Sequence, residues 1–318
     1  MTDPLAIQRP KALQAGDRVH VLSPAGPVTP DLMAPGLQRL RDWGLEVHVD
    51  PDLYRRRPPY DYLAGDDALR LRALQQALDD PECSAIICSR GGYGSMRLLT
   101  SLDTSAFADS PPLLVGFSDI TALHLFMASR ARVASLHGPV IKSFRLHDDD
   151  PHHSLAHLRQ ALFGDGPRPE PFCNMRTIAS GQATGPVFGG TLSLLTALLG
   201  TPFCPDLHGA ILVLEEIGEA DYRVDRLLTS LRLAVEARGH RLGGLVFGRF
   251  IDCDGVYVAP DGIDDFLAHL AREFDCPVAG GAPVGHGMTN RCFPIGLPAT
   301  LDADAGTLAF HHHAVCTG

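Results

Sequence analysis

Two short runs that are apolar but for the opening serine of the first, Ser84 to Cys88 and Pro112 to Phe117, constrain the fold most. A strand that is apolar on both faces has to be covered on both faces, which is the situation of a parallel sheet under helices. The segments before and between these runs fit that arrangement. Arg18 to Leu22 and Leu45 to Val49 read as strands, and Asp31 to Trp43 reads as a helix ended by Gly44. Asp67 to Leu78 reads as a helix with Leu69, Leu71, Leu74 and Leu78 on or near one side. Alternating strand and helix makes the first half α/β with a parallel sheet. Ligands of such sheets bind at the carboxyl ends of the strands. Gly91-Gly92-Tyr93-Gly94 and Ser118 both fall at such ends.

The 318 residues are enough for two domains. A first domain is expected over 1–147. Proline, glycine and charge mark 148–184 as a linker, interrupted by one helical pattern at Leu155 to Phe163. A second domain is expected over 185–318. It contains helices at Leu192 to Leu199, Arg223 to Glu236 and Ile263 to Phe274, strands at Ala210 to Leu214 and Gly244 to Phe247, and a final pair at Ala299 to Leu301 and Thr307 to Phe310.

With 45% hydrophobic and 20% charged residues the chain reads as a soluble globular protein. Its net charge of −10 argues against a nucleic-acid partner, which would call for a basic face. Met1 to Leu5 has no basic segment leading into an apolar core, and no apolar run approaches the ~18 residues of a membrane span. A cytoplasmic protein is therefore expected. The eight cysteines are scattered without a C-x-x-C pair, so they read as reduced, mostly buried small hydrophobes, with neither disulfides nor zinc.

Four clusters could carry chemistry. In Leu113 to Thr121 a strand runs through Gly116 into Ser118 and directly into a helical pattern over Ile120 to Ala128. A serine there is either the N-cap of that helix or a nucleophile lifted out of the packed layer by a tight turn. Arg90-Gly91-Gly92-Tyr93-Gly94-Ser95 can bring backbone N–H groups close to an anion, or can simply be a tight turn. At Leu212 to Glu219 carboxylates follow a buried-looking strand. Glu215, taken as the first polar residue after that strand, is preferred to Glu216 as an acid able to orient a histidine, while first-turn helix acids are the plain alternative. His286 lies between Gly285 and Gly287 in a loop, where an imidazole is accessible, although a lone histidine is often structural. Serine, acid and histidine then follow in the chain order Ser, Glu, His known from another serine-hydrolase fold. Asp148 to His153 reads as a solvated linker, and His311 to His313 alternates across a strand, so no metal site is assigned.

With these residues identified, the chain resembles the LD-carboxypeptidase family of serine peptidases, which includes the murein tetrapeptide carboxypeptidase and the microcin C immunity peptidase. The resemblance is carried by Leu13 to Pro24, Tyr62 to Arg70, Arg90 to Leu99, Gly116 to His124, His137-Gly138-Pro139, Leu214 to Leu228, Gly244 to Phe250 and Gly285 to Ala299, in the family's order over nearly the full length. It implies Ser118 as nucleophile, His286 as general base and Glu215 as the acid that orients it. The implied oxyanion hole is the backbone N–H of Asp119 with that of a glycine in the RGGYG loop, taken as Gly92. The implied fold is an N-terminal Rossmann-like (flavodoxin-like) parallel-sheet domain and a smaller β-rich α/β C-terminal domain, with the site between them and a homodimer as the usual assembly. One departure stands at Thr191, where the family pattern leads us to expect asparagine.

Three functions follow as expectations. The first is hydrolysis of an L,D amide, as in release of the C-terminal D-alanine from a murein tetrapeptide in wall recycling, with Arg90 as candidate partner of the peptide's carboxylate. The second is an immunity-type peptidase acting on peptidyl-nucleotide analogues. The third, from another class, is a non-catalytic α/β anion-binding protein. The expected ligand is a small peptide, with no cofactor.

Overall fold

The structure, a computed structural model, describes residues 7–105, 110–147, 153–253 and 262–317. Asp148 to His152, most of the acidic linker stretch, lie outside the described residues.

The first half runs β1 (Arg18–Leu22), α1 (Pro30–Asp42), β2 (Glu46–Val49), α2 (Asp67–Asp79), β3 (Cys83–Cys88), β4 (Leu113–Gly116), α3 (Thr121–Phe126) and β5 (Ser135–His137). α1 begins with Pro30 at its start and buries Met33, Leu37 and Leu40, and the positive φ of Gly44 lets the chain leave it. At the start of α2, the Asp66 carboxylate accepts the Leu69 N–H at 2.8 Å, a side-chain cap. The strands pair in parallel in the order 2-1-3-4-5, a flavodoxin-like sheet.

The second half contributes α4 (Ser154–Phe163), β6 (Arg176–Ala179), β7 (Gln182–Thr191), α5 (Leu192–Leu198), β8 (Ile211–Ile217), α6 (Asp221–Glu236), β9 (Gly244–Ile251), α7 (Ile263–Leu270), β10 (Val278–Gly280), β11 (Phe293–Ile295), β12 (Pro298–Asp302) and β13 (Thr307–Phe310). Its sheet has the order 13-12-7-8-9-10-6, parallel across β7 to β10 and antiparallel toward both edges. The segment read as linker thus carries both α4 and the edge strand β6.

Alternation along the strands of the first sheet divides the core. Val19, Val21, Ala85, Ile87, Leu113 and Val115 pack with α1 and α4 on one face. Leu22, Ile86, Cys88 and Leu114 face the other way, into a cluster with α2 and α3 that continues into the second sheet through Val187, Leu212 and Leu214. One continuous apolar layer therefore joins the two sheets. It is this layer that sets the ends of β4 and β8 against each other.

Several elements differ from the sequence reading. β11 adds to the first sheet, antiparallel to β5, although it comes from far along the chain; three residues are too short to show a period. β7 breaks the apolar pattern with Gly185, Pro186, Gly189 and Gly190, yet is a central ten-residue strand. A Cβ at Gly185 would stand 2.0 Å from the Gly209 carbonyl oxygen, and one at Gly189 2.0 Å from that of Val213, so close backbone approach explains the glycines. β8 continues through Ile217, which places Glu215 inside the strand and not after it. The helix expected over Ile120 to Ala128 is a 3₁₀ turn at Ser118–Ile120, then α3, then a π turn over Met127–Ala131 closed by left-handed Arg132.

Candidate active site

At the end of β4 the backbone turns sharply. Ser118 has φ +64, in the left-handed region that costs a non-glycine residue roughly 1–2 kcal/mol. Ser118 is the first residue of the 3₁₀ turn, whose N-cap position is Phe117, and its Oγ lies 2.9 Å from His286 Nε2. The facing loop comes close. A Cβ on Gly91 would lie 2.6 Å from Ser118 Cβ and 2.8 Å from its Oγ, so only glycine fits there.

Asp119 ties that loop to the serine turn. Its Oδ2 accepts the Ser95 N–H at 2.8 Å, and its carbonyl accepts the Ser95 hydroxyl at 2.6 Å. Burial pushes the Asp119 carboxyl above the usual range, and hydrogen bonds from Ser95 and Gly94 oppose that only in part. The sequence reading used Asp119 only for its backbone; an acid directly after a buried turn was the available signal for this clamp.

The other two groups come from the second sheet and its return loop. His286 Nδ1 lies 2.7 Å from Glu215 Oε2. A carboxylate only accepts, so Nδ1 carries the hydrogen and Nε2 is left to accept the Ser118 O–H. Burial lowers the affinity of His286 for a proton, but the hydrogen bond and charge of Glu215, with the charge of Glu216, outweigh it and hold its pKa above the ordinary histidine value. The loop needs its glycine: at Gly285, φ +124, a Cβ would stand 3.1 Å from Glu215 Oε2. Asn290 Oδ1 accepts the Gly285 N–H at 3.2 Å and is itself fixed by the Ser154 hydroxyl, which accepts the Asn290 N–H at 2.9 Å.

Glu215 is fully buried, and its second oxygen accepts the Thr191 hydroxyl at 2.5 Å. The Thr191 N–H in turn donates to Thr121 Oγ1 at 3.0 Å, linking β7 to the helix that follows the serine. The residue that departs from the family pattern therefore touches the acid directly. Glu216 faces the opposite side of β8, as alternation requires, and accepts the Ser193 N–H at 2.7 Å at the start of α5. Of the two neighbouring acids, Glu215 meets the histidine.

Phe117 packs beside the site, 4.9 Å between ring centroids from His286 and 6.0 Å from His137. His137 is fully buried and stacks on Phe293 at 4.4 Å, and burial keeps it far below the ordinary histidine pKa. His124 is pulled down to about 4 by burial; its Nε2–H donates to the Gly116 carbonyl, so its Nδ1 accepts the Ser135 hydroxyl, each at 2.8 Å. Neutral imidazoles thus brace the end of β4. Arg90 lies on the far side of the glycine loop, half-buried, with Nη1 donating to the Pro27 carbonyl at 3.1 Å. Among the described residues no group of three His, Cys, Asp or Glu side chains is placed to hold a metal ion, and no helix is long and apolar enough to cross a membrane.

A strained serine at a strand end, hydrogen-bonded to a histidine that is hydrogen-bonded to a buried carboxylate, is the constellation of a serine hydrolase. The comparisons narrow that class. Residues 19–138 match the LD-carboxypeptidase N-terminal domain and residues 184–301 the LD-carboxypeptidase C-terminal domain. The chain belongs to the LD-carboxypeptidase family and is a serine-type hydrolase. A relative in Streptomyces coelicolor that carries a carboxypeptidase name is 39% identical over 97% of this chain and 98% of its own length. The murein tetrapeptide carboxypeptidase of Pseudomonas aeruginosa is 33% identical over 90% and 94%. Among solved structures, the MccF-like protein of Bacillus anthracis is 25% identical with a TM-score of 0.83, covering 96% of this chain and 99% of its own.

Proposed function

We propose that the protein is an LD-carboxypeptidase that releases the C-terminal D-alanine from a murein tetrapeptide, working as a cytoplasmic homodimer in wall recycling through Ser118, His286 and Glu215. The observation that carries the reading is the unbroken chain from Ser118 Oγ through both ring nitrogens of His286 to Glu215. Ser118 Oγ attacks the carbonyl of the L-centre while its proton passes to His286 Nε2, and Glu215 stabilises the imidazolium. The same proton goes to the departing amine of D-alanine, which leaves an ester on Ser118. Water activated by neutral His286 then cleaves that ester.

The Asp119 N–H, in the first turn after the serine where helical N–H groups have no partner within the helix, supplies one half of the oxyanion hole. Gly92 supplies the other. The Gly91 carbonyl accepts the Gly26 N–H at 3.1 Å, and in a trans peptide the Gly92 N–H points the opposite way, away from Gly26. Thr191 holds Glu215 in the orientation that His286 needs. In this reading the site lies between a domain of 1–147 and one of 185–318.

The peptidyl-nucleotide reading has support from fold likeness to an MccF-like protein, whereas the murein reading has in addition a full-length relative of that name at 33% identity. Assay of purified protein on murein tetrapeptide and on an aminoacyl sulfamoyl nucleotide separates the two. Release of D-alanine by the wild type, lost in Ser118→Ala with unchanged circular dichroism, supports the proposal. Turnover retained in Ser118→Ala, or of the nucleotide alone, overturns it.

A further inference from the structure

The largest fully buried side chain among the described residues is a cation, Arg70 in the first turn of α2. Its Nη1 donates to the Pro24 carbonyl at 2.6 Å, and its Nη2 donates to Asp67 Oδ1 at 2.5 Å. Its Nε finds no hydrogen-bond partner among the described residues, and burial pulls its pKa below the ordinary arginine value despite Asp67. An apolar side chain of similar volume fills buried space without that desolvation cost, so packing alone does not call for an arginine here.

The groups around the guanidinium give the reason for it. It lies against Gly94 of the glycine loop: a Cβ there would stand 2.5 Å from Arg70 Nη1 and 3.0 Å from its Cζ. Gly94, at φ +128, is two residues after Gly92 and directly precedes Ser95, which is bonded to Asp119. The grip is repeated further along the chain. Asp67 also takes a paired hydrogen bond from Arg97, with Nε at 2.9 Å and Nη2 at 2.6 Å, and Arg97 lies in the 3₁₀ turn Ser95–Leu98 that follows the loop. Arg70 therefore holds the loop after β1 through Pro24, and the loop after β3 both directly and through Asp67.

We infer that Arg70 is a positioning residue for the oxyanion hole: its guanidinium, set against Gly94 and bonded to Asp67, fixes the loop that presents the Gly92 N–H to the developing oxyanion. The inference rests on the serine-peptidase reading above, and its test reads oxyanion binding apart from substrate binding. A displaced oxyanion donor weakens the transition state and not the bound substrate, because the charge it meets is absent from the substrate.

The probe for the oxyanion is a murein tripeptide whose terminal carboxyl is replaced by boronic acid. Ser118 Oγ adds to boron and its proton passes to His286, so the tetrahedral adduct places a boron-bound oxygen in the oxyanion hole with no leaving group. Arg70→Met keeps the length of the side chain and leaves Asp67 paired with Arg97. In that variant boronate affinity and kcat should each fall about 10- to 100-fold. KM for murein tetrapeptide, and the calorimetric affinity of that peptide in a Ser118→Ala background, should stay within about twofold. Arg70→Lys keeps the charge and a donor for Asp67, and should lose only about threefold in boronate affinity. If circular dichroism shows Arg70→Met unfolded, Arg70→Lys carries the same comparison between boronate and tetrapeptide. Unchanged boronate affinity in folded Arg70→Met, equal losses of boronate and tetrapeptide affinity, or no recovery in Arg70→Lys overturns the inference. Failure of the serine mechanism shows separately, as boronate that binds Ser118→Ala as tightly as it binds the wild type.

Discussion

The serine side and the acid–base side of the site are assembled over very different distances along the chain. Ser118, the strand that carries it, the turn that strains it and the helix that follows are contiguous. Glu215 and His286 are 71 residues apart, and His286 is 168 residues from Ser118. The first side is a local device whose geometry follows from a strand meeting a helix without a loop. The second exists only because the second sheet packs on the first and a loop after β10 returns over it. Local devices store strain in the backbone, as φ +64 at Ser118 shows, whereas the distant pair is held by hydrogen bonds that radiate from a buried carboxylate.

That contrast can be broken by substitution. On the proposed mechanism Ser118→Ala is expected to lower kcat on the order of 10⁵- to 10⁶-fold, measured as D-alanine release, because it removes the proposed nucleophile. Glu215→Gln should cost on the order of 10³- to 10⁴-fold, since the amide no longer stabilises the imidazolium or fixes its tautomer. Glu216→Gln, one residue along the strand, should leave kcat nearly unchanged and reduce stability instead, because its partner is the start of α5.

Thr191→Val should lower kcat roughly 10-fold through loss of one hydrogen bond to a charged group, and Thr191→Asn, which keeps a donor, should restore much of it. The pH profile is the next measurement. As the proposed base His286 must be neutral, and its pKa is raised in the fold, so activity should decline on acidification at a pH above the ~6.5 of a free imidazole. In Glu215→Gln the raising partner is gone while burial remains, so the acid limb of the residual activity should move to lower pH. The smallest effect concerns the strained turn. Ser118→Gly and Ser118→Ala should be equally inactive, but the glycine variant should be more stable by about 1 kcal/mol in urea unfolding, because glycine occupies positive φ without penalty.

Much of the first sheet was legible because β3 beyond Ser84 and the whole of β4 are apolar, α1 begins at Pro30 and is ended by Gly44, and α2 is capped by Asp66. β7 was not legible. Its glycines look like loop residues in sequence and are required by carbonyl groups of Gly209 and Val213 that approach from other elements. The neighbouring acids were equally ambiguous, because the sequence reading ended β8 before Glu215 and so gave the pair no faces. Once the strand continues to Ile217, alternation turns one acid to the histidine and the other to α5.

By itself the sequence determined an α/β chain with a serine at a strand end and a glycine loop at the neighbouring strand end, since these depend on local periodicity and on residues that only one backbone conformation suits. Tertiary structure decided that Glu215 and not Glu216 meets His286, that the Ser118 hydroxyl lies within hydrogen-bond distance of the same histidine, and that Thr191 and Asp119 hold the two sides in place. Those choices depend on which groups are buried against each other, and burial is a property of packed sheets that no single segment contains.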